Sequence, residues 1–199
     1  MLEQAASGVA MRIVAGNHRG LALATPGDRQ IRPTSDRTRE AIFNILSHGV
    51  ASLDIEGTRV LDLFAGTGAL GLEALSRGAR YCVFVDEGAG ARGLIRTNVE
   101  AMKAQGSTKI WRRDATNLGP CAPMAPFDLV FADPPYGKGL GEKALASALA
   151  GGWLTPEAIV VLEETADVEV AVPQGLELLD QRRYGDTQVL FMTPANDAA

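Results

Sequence analysis

The chain has 199 residues, 46% of them hydrophobic and 22% charged, enough to bury one sizeable core with little left for a second. It holds no run of eighteen apolar residues, and its first ten residues lack a basic start followed by an apolar block, so a cytoplasmic protein without membrane span or secretory leader is expected. The net charge of -5 argues against a molecule coated in nucleic acid, yet residues 11–40 carry six arginines (Arg12, Arg19, Arg29, Arg32, Arg37, Arg39) against Asp28, Asp36 and Glu40. Such polarity suits a phosphate backbone held on one face, and equally suits a solvated helix start beside a hairpin.

Residues 1–10 read as a flexible leader, and residues 11–199 as a single domain made of an extension (11–50) and a core (51–199). MRIVAG, NHRG and LALAT spell a short β-hairpin, with Asn and Gly supplying the turn. In RQIRPTSDRTREAIFNILSHG the period changes. Pro33 bars a helix before it, Ser35 or Asp36 caps, Ala41, Ile42, Ile45 and Leu46 form an apolar stripe, and Gly49 ends the helix.

From there strand and helix alternate: strands at 59–64, 81–86, 109–113, 127–132 and 158–163, and helices at 69–77, 89–105 (closed by Gly106) and 141–150. The last two strands, 176–183 and 188–193, are joined by four residues only, which forces an antiparallel pair, whereas every earlier connection has room for a parallel crossover. The fold class is therefore α/β, a Rossmann-like doubly wound sheet with a C-terminal antiparallel hairpin and a small N-terminal β-hairpin plus helix extension.

Cys82 reads as a small buried hydrophobe and Cys121 as an ordinary loop thiol; neither has the spacing of a zinc site, and no metal is expected. His18 fits a turn, His48 a helix end, and Trp111 and Trp153 packing. Tyr184 suits core packing and substrate contact alike.

Chemistry concentrates in two stretches. VLDLFAGTGALG contains G-x-G-x-x-G at Gly66, Gly68 and Gly71, with an acid, Asp86, twenty positions after the first glycine. Glycines there let the chain turn sharply out of a strand and approach a ligand at a helix N-terminus. Asp62 stands four residues before Gly66, where its charge would repel a pyrophosphate and welcome an amino group and a sulfonium. That selects S-adenosylmethionine over a dinucleotide. Asp86 then suits the ribose hydroxyls and Asp114 the adenine amine, three acids at the ends of three successive strands.

The second stretch is FADPPYG, residues 131–137. Two prolines stop the strand and stiffen the backbone, so the Asp133 carboxylate and Pro134 carbonyl can accept both protons of a planar NH₂ while Tyr136 stacks on the ring that carries it. Acceptors on those protons direct the nitrogen lone pair at an electrophilic methyl, an in-line displacement that requires neither a metal nor a covalent intermediate.

Together with MRIVAGNHRG, RPTSDRTREAIFNIL, LDLFAGTGALGLEALSRGA and the RDA of residues 113–115, FADPPYGKGL resembles the small-subunit ribosomal RNA methyltransferase D family, over residue 11 to about residue 193. The resemblance implies a class I S-adenosylmethionine-dependent methyltransferase that modifies N2 of guanine 966 in 16S rRNA. It implies an acceptor pocket of Asp133, Pro134, Pro135 and Tyr136. A cofactor site of Asp62, Phe64, Ala65, Gly66, Gly68, Gly71, Asp86, Glu87, Asp114, Ala115 and Thr34 goes with it. RNA contacts are expected from Arg12, Arg19, Arg32, Arg37 and Arg39, with 16S rRNA in the small ribosomal subunit or its assembly intermediate as partner. The sequence departs from the family at Gly88, where a second acid is usual; Glu87 beside it is the substitute. Still open are an adenine-N6 or protein-glutamine methyltransferase, a dehydrogenase, and a silent RNA-binding assembly factor.

Overall fold

A computed structural model describes residues 11–27, 36–49 and 52–195. The leader, Thr34 and Arg32 lie outside the described residues. The sheet is built outward from β1 (Arg59–Leu63), buried on both faces from Val60 to Leu63. On one side lie β2 (Tyr81–Val85) and β3 (Thr108–Trp111); on the other lie β4 (Phe127–Ala132), β5 (Leu154–Thr165), β7 (Thr187–Pro194) and β6 (Leu176–Tyr184), in the order β3-β2-β1-β4-β5-β7-β6. The first five strands pair in parallel, while β7 runs antiparallel to both β5 and β6. Gly185 and Asp186 alone join β6 to β7, which gives the C-terminal hairpin expected from the short link.

Helices α1 (Asp36–His48), α2 (Ala69–Ser76) and α3 (Ala89–Ala101) cover one face and α4 (Leu140–Ala150) the other. Alternation along the strands divides the core accordingly. Val60, Leu129 and Phe131 pack with Phe43, Leu72 and Ile95, whereas Leu61, Leu63, Val130 and Ala132 pack with Ala144, Leu145 and Trp153. The extension joins the first of these layers through Met11, Ile13 and Leu23. Its hairpin has one bridge, Arg12 to Ala22, with the Ile13 and Leu23 amides donating to Leu21 and Met11.

Some boundaries move. The α1 stripe is Ile42, Phe43 and Leu46, all buried, with Ala41 and Ile45 half-buried at its margin. The helix expected at 89–105 stops at Ala101, because Lys103 adopts φ 57° and the Lys103 and Ala104 amides turn back to Glu100 and Val99. That closure usually uses glycine; here Gly106 falls in a following short 3₁₀ turn. β5 extends well beyond 158–163. Cys121 is a loop thiol, and a buried one, whose burial pushes its pKa up. Trp153 is fully buried, packed edge-on to Trp111 at 5.6 Å and stacked on Phe127 at 5.9 Å.

Candidate active site

The chain leaves β1 toward β2 and β3, then returns to place β4 on the other side of β1. At that reversal the carboxyl ends of β1 and β4 diverge, and a crevice opens where doubly wound sheets hold their ligands. The exit from β1 is tight: Phe64, Gly66 and Gly68 have φ of 56°, 57° and 78°, three left-handed residues within five. Glycine takes two of them without strain, whereas Phe64 is held there by the fold.

Asp86, directly after β2, anchors this turn. Its Oδ2 accepts the Gly66 amide at 2.9 Å and its Oδ1 the Gly88 amide at 2.7 Å. Each carboxylate oxygen retains acceptor capacity, and Asp86 lines the crevice. Gly88 has an ordinary extended backbone at φ -70°, so its role is the amide it gives to Asp86.

The crevice encloses about 540 Å³ and is lined by Phe64, Val85, Asp86, Glu87, Arg113, Ala115, the run Asp133 to Tyr136, and Leu140. The first group offers apolar walls and a fixed carboxylate, a chemistry matched to a nucleoside with vicinal hydroxyls. The second forms the opposite wall. The Asp133 amide reaches Leu63 O at 3.4 Å, which ties the start of D-P-P-Y to the end of β1. Pro134 is buried, Pro135 exposed, and Gly137 turns with φ 72°.

A family model described as conserved hypothetical protein 95 matches residues 11–193. "Ribosomal RNA small subunit methyltransferase D" of Escherichia coli is 34% identical over 163 residues, covering 82% of this chain and 78% of its own. Its namesake in Haemophilus influenzae is 31% identical over 177 residues, covering 88% and 89%. The chain belongs to this family. Among solved structures, the candidate methyltransferase yhhF of Escherichia coli superposes with a TM-score of 0.78 at 30% identity, over 93% of this chain and 98% of that one. A candidate methylase of Haemophilus influenzae gives 0.76 at 27%, over 94% and 99%. The fold is that of the class I S-adenosylmethionine-dependent methyltransferases, and the chain is a methyltransferase.

Within the methyltransferase, the residues expected at the cofactor do not all face the crevice. Asp62 is 2% exposed and points from β1 under α2, where its Oδ2 accepts the Gly71 amide at 3.0 Å. Burial pushes its carboxyl up to about 8, against the Gly71 hydrogen bond and reinforced by the Asp86 charge. The expectation of a carboxylate presented to a charged ligand is therefore corrected: Asp62 supports the turn from beneath, where burial favours its protonated form. Gly71 belongs to the same packing, since a Cβ there would lie 2.5 Å from Phe84 Cε1 and 2.6 Å from Cys82 Sγ. Asp114 is exposed and caps a 3₁₀ turn, its Oδ1 accepting from Thr116 N at 2.8 Å, while its neighbours Arg113 and Ala115 line the crevice.

The shift in Asp62 has a pH consequence. Its folded pKa lies above the unfolded 3.8, so its contribution to stability is complete below about pH 4 and is lost as pH rises toward about 8. Asp62→Asn keeps an acceptor for Gly71 and cannot ionise. The wild-type unfolding free energy should fall relative to Asp62→Asn by up to about 1.4 kcal/mol per pH unit in that window. Urea unfolding of both proteins from pH 5 to 8 measures the difference; parallel profiles would refute it.

Arg39 is likewise corrected. Its side chain is 0% exposed, with Nη2 donating to Asp36 Oδ1 at 2.6 Å and to the carbonyl of Arg12, and Nε 3.5 Å from Glu73 Oε2. No phosphate reaches it. Glu73, also 0% exposed, accepts the amides of Val14 and Ala15 and the Arg77 guanidinium. This buried cluster bolts the hairpin and α1 to α2. Arg12, Arg19 and Arg37 stay on the surface around a shallow groove of about 370 Å³, with Asp36 and Glu40 on its rim.

Sequence reasoning missed four polar residues around the site. Asn98 on α3 is buried; its Oδ1 accepts from Ala24 N at 2.6 Å, and its Nδ2 donates to Ala24 O and to Thr67 O at 2.9 Å inside the glycine turn. Glu73, Glu163 and Glu164 are the others. A visible hint existed only for the last two, which directly follow the apolar run IVVL of β5.

Proposed function

We propose that this methyltransferase transfers the methyl group of S-adenosylmethionine to N2 of one guanine, guanine 966, in 16S rRNA of the small ribosomal subunit, in the cytoplasm. One observation carries the reading: a single crevice has the Asp86 and Phe64 wall on one side and Asp133 to Tyr136 on the other. The relatives named "Ribosomal RNA small subunit methyltransferase D" supply the substrate class.

S-adenosylmethionine, when bound, supplies an electrophilic methyl on a sulfonium. Phe64, Val85 and Ala115 offer apolar surface to its adenosine, and Asp86 accepts from ribose hydroxyls, with Glu87 beside it. Asp133 and the Pro134 carbonyl take the two N–H groups of the guanine amine. The amine lone pair, otherwise delocalised into the base, is thereby freed along one direction, and positioning supplies most of the acceleration. The proton lost from nitrogen passes to Asp133 or to solvent. Tyr136 provides a flat face for the extruded base.

The test is transfer of labelled methyl to small subunits, naked rRNA and DNA, followed by nucleoside analysis and mapping. Label in N2-methylguanosine at one 16S position is expected. Label in N6-methyladenine or protein would keep the fold and overturn the substrate, and no label despite cofactor binding would leave an RNA-binding assembly factor.

The surface arginines supply the phosphate contacts in this reading. Arg19→Ala combined with Arg37→Ala is expected to weaken RNA binding and lower the slope of log affinity against log salt by about 1 per arginine, with stability unchanged. Binding titrations from low to high salt measure both, and an unchanged slope would remove this groove from the RNA footprint.

A further inference from the structure

Tyr136 is held from behind. Its hydroxyl donates to Glu163 Oε1 at 2.6 Å. One residue further along β5, Glu164 Oε1 accepts the amides of Gly137 at 3.0 Å and Thr165 at 2.7 Å. The register places Glu163 opposite Val189 and Thr165 opposite Thr187, so β7 braces the same corner. Glu163 and Glu164 are 4% and 2% exposed. A buried carboxylate is costly to leave without a donor, so Oε1 of each glutamate is strongly held to the groups it accepts from.

The consequence is a two-point fixation of an aromatic ring. The D-P-P-Y turn, held by Glu164 through Gly137, sets where the Tyr136 side chain begins; Glu163 sets where it ends. Cβ and the hydroxyl oxygen lie on one axis through the ring, so fixing both ends sets where that axis lies. Burial, then the hydrogen bond to Glu163, raises the phenol pKa, so the hydroxyl stays a donor and does not serve as a base.

We propose that Glu163 is a positioning residue for the acceptor: by holding the Tyr136 hydroxyl it fixes the axis of the ring, and so the place of the ring on which the planar group carrying the reactive NH₂ stacks. The proposal rests on the methyl-transfer reading of Asp133 to Tyr136. It extends that reading from the D-P-P-Y motif to the end of β5, where no motif marks it.

The experiment compares the full-length wild type with Glu163→Ala, Glu163→Gln, Tyr136→Phe and the double variant Glu163→Ala/Tyr136→Phe, with small subunits as acceptor. Glu163→Ala and Tyr136→Phe should each lower kcat by about 10- to 100-fold, the scale of a small misplacement of reacting groups, with S-adenosylhomocysteine affinity unchanged. The double variant should fall no further than either single one, and Glu163→Gln, which keeps an acceptor oxygen, should recover most of the rate. Ultraviolet titration of the tyrosines gives a second readout: Glu163→Ala should lower the pKa of one tyrosine, the one missing from Tyr136→Phe. Multiplicative losses in the double variant, or full activity of Tyr136→Phe beside a slow Glu163→Ala, would overturn the positioning role alone. A wild type that modifies no acceptor would instead overturn the functional reading beneath it.

Discussion

Asp133→Ala is expected to slow methyl transfer by about 10² to 10⁴, the range over which a positioned acid–base group acts, while leaving S-adenosylhomocysteine binding nearly intact. The separation follows from the architecture. Asp86 comes from the end of β2 and Asp133 from the end of β4, on opposite sides of β1, so one can be removed without touching the other. The backbone contact from Asp133 N to Leu63 O survives the substitution, so the turn keeps its attachment. Asp133→Asn should also be slow, since its amide presents donors where the guanine amine offers donors of its own. Single-turnover transfer of labelled methyl together with calorimetric titration of S-adenosylhomocysteine decides the matter. Loss of binding would move Asp133 into the cofactor's hold and out of the acceptor pocket.

Arg39→Ala should be the most damaging substitution in the extension, costing about 3–5 kcal/mol, because it removes one partner of a buried ion pair. Glu73 would remain at 0% exposure with less compensation, and the space of a fully buried guanidinium stem would open between α1 and α2. In a chain of this size the loss corresponds to a fall in Tm of roughly 10 °C. Arg37→Ala, two residues away and exposed, should leave Tm unchanged, so thermal unfolding of the two variants separates a structural arginine from a surface one. Equal, small changes in both would show that the Arg39–Glu73 cluster contributes little to stability.

The contrast between Arg37 and Arg39 shows where reading the chain alone stops. Both stand in one arginine-rich run, and their charge, spacing and neighbours give no reason to treat them differently. What distinguishes them is Glu73, 34 residues further along on another helix. Ion pairing is decided by which helices pack, and that depends on the sum of many apolar contacts across the sheet.

Asp62 fails for a related reason. A strand side chain has two faces to choose from, and a carboxylate at a strand end looks equally suited to a ligand and to a helix N-terminus. Packing of α2 on β1 chose the second, and burial then disfavours the charge on which the argument for a sulfonium ligand depended. Asn98 was invisible and Glu163 only hinted at, because their partners are backbone groups and a phenol brought near only by the fold.

The sequence by itself determined the alternation of strands and helices, the antiparallel ending, the glycine turn after β1 and the rigid D-P-P-Y exit from β4. Each of these rests on local physics: apolar runs that seek burial, glycines that take left-handed φ, prolines that end a strand, and a link of at most four residues, too short to cross a sheet. It also marked the two stretches that line the crevice, whereas the strand order that brings them to one switch point came from the structure. Only the tertiary structure decided which charged residues face that crevice and which are consumed inside the protein. A buried charge must find its partner, and that partner is supplied by whichever distant element the core brings alongside.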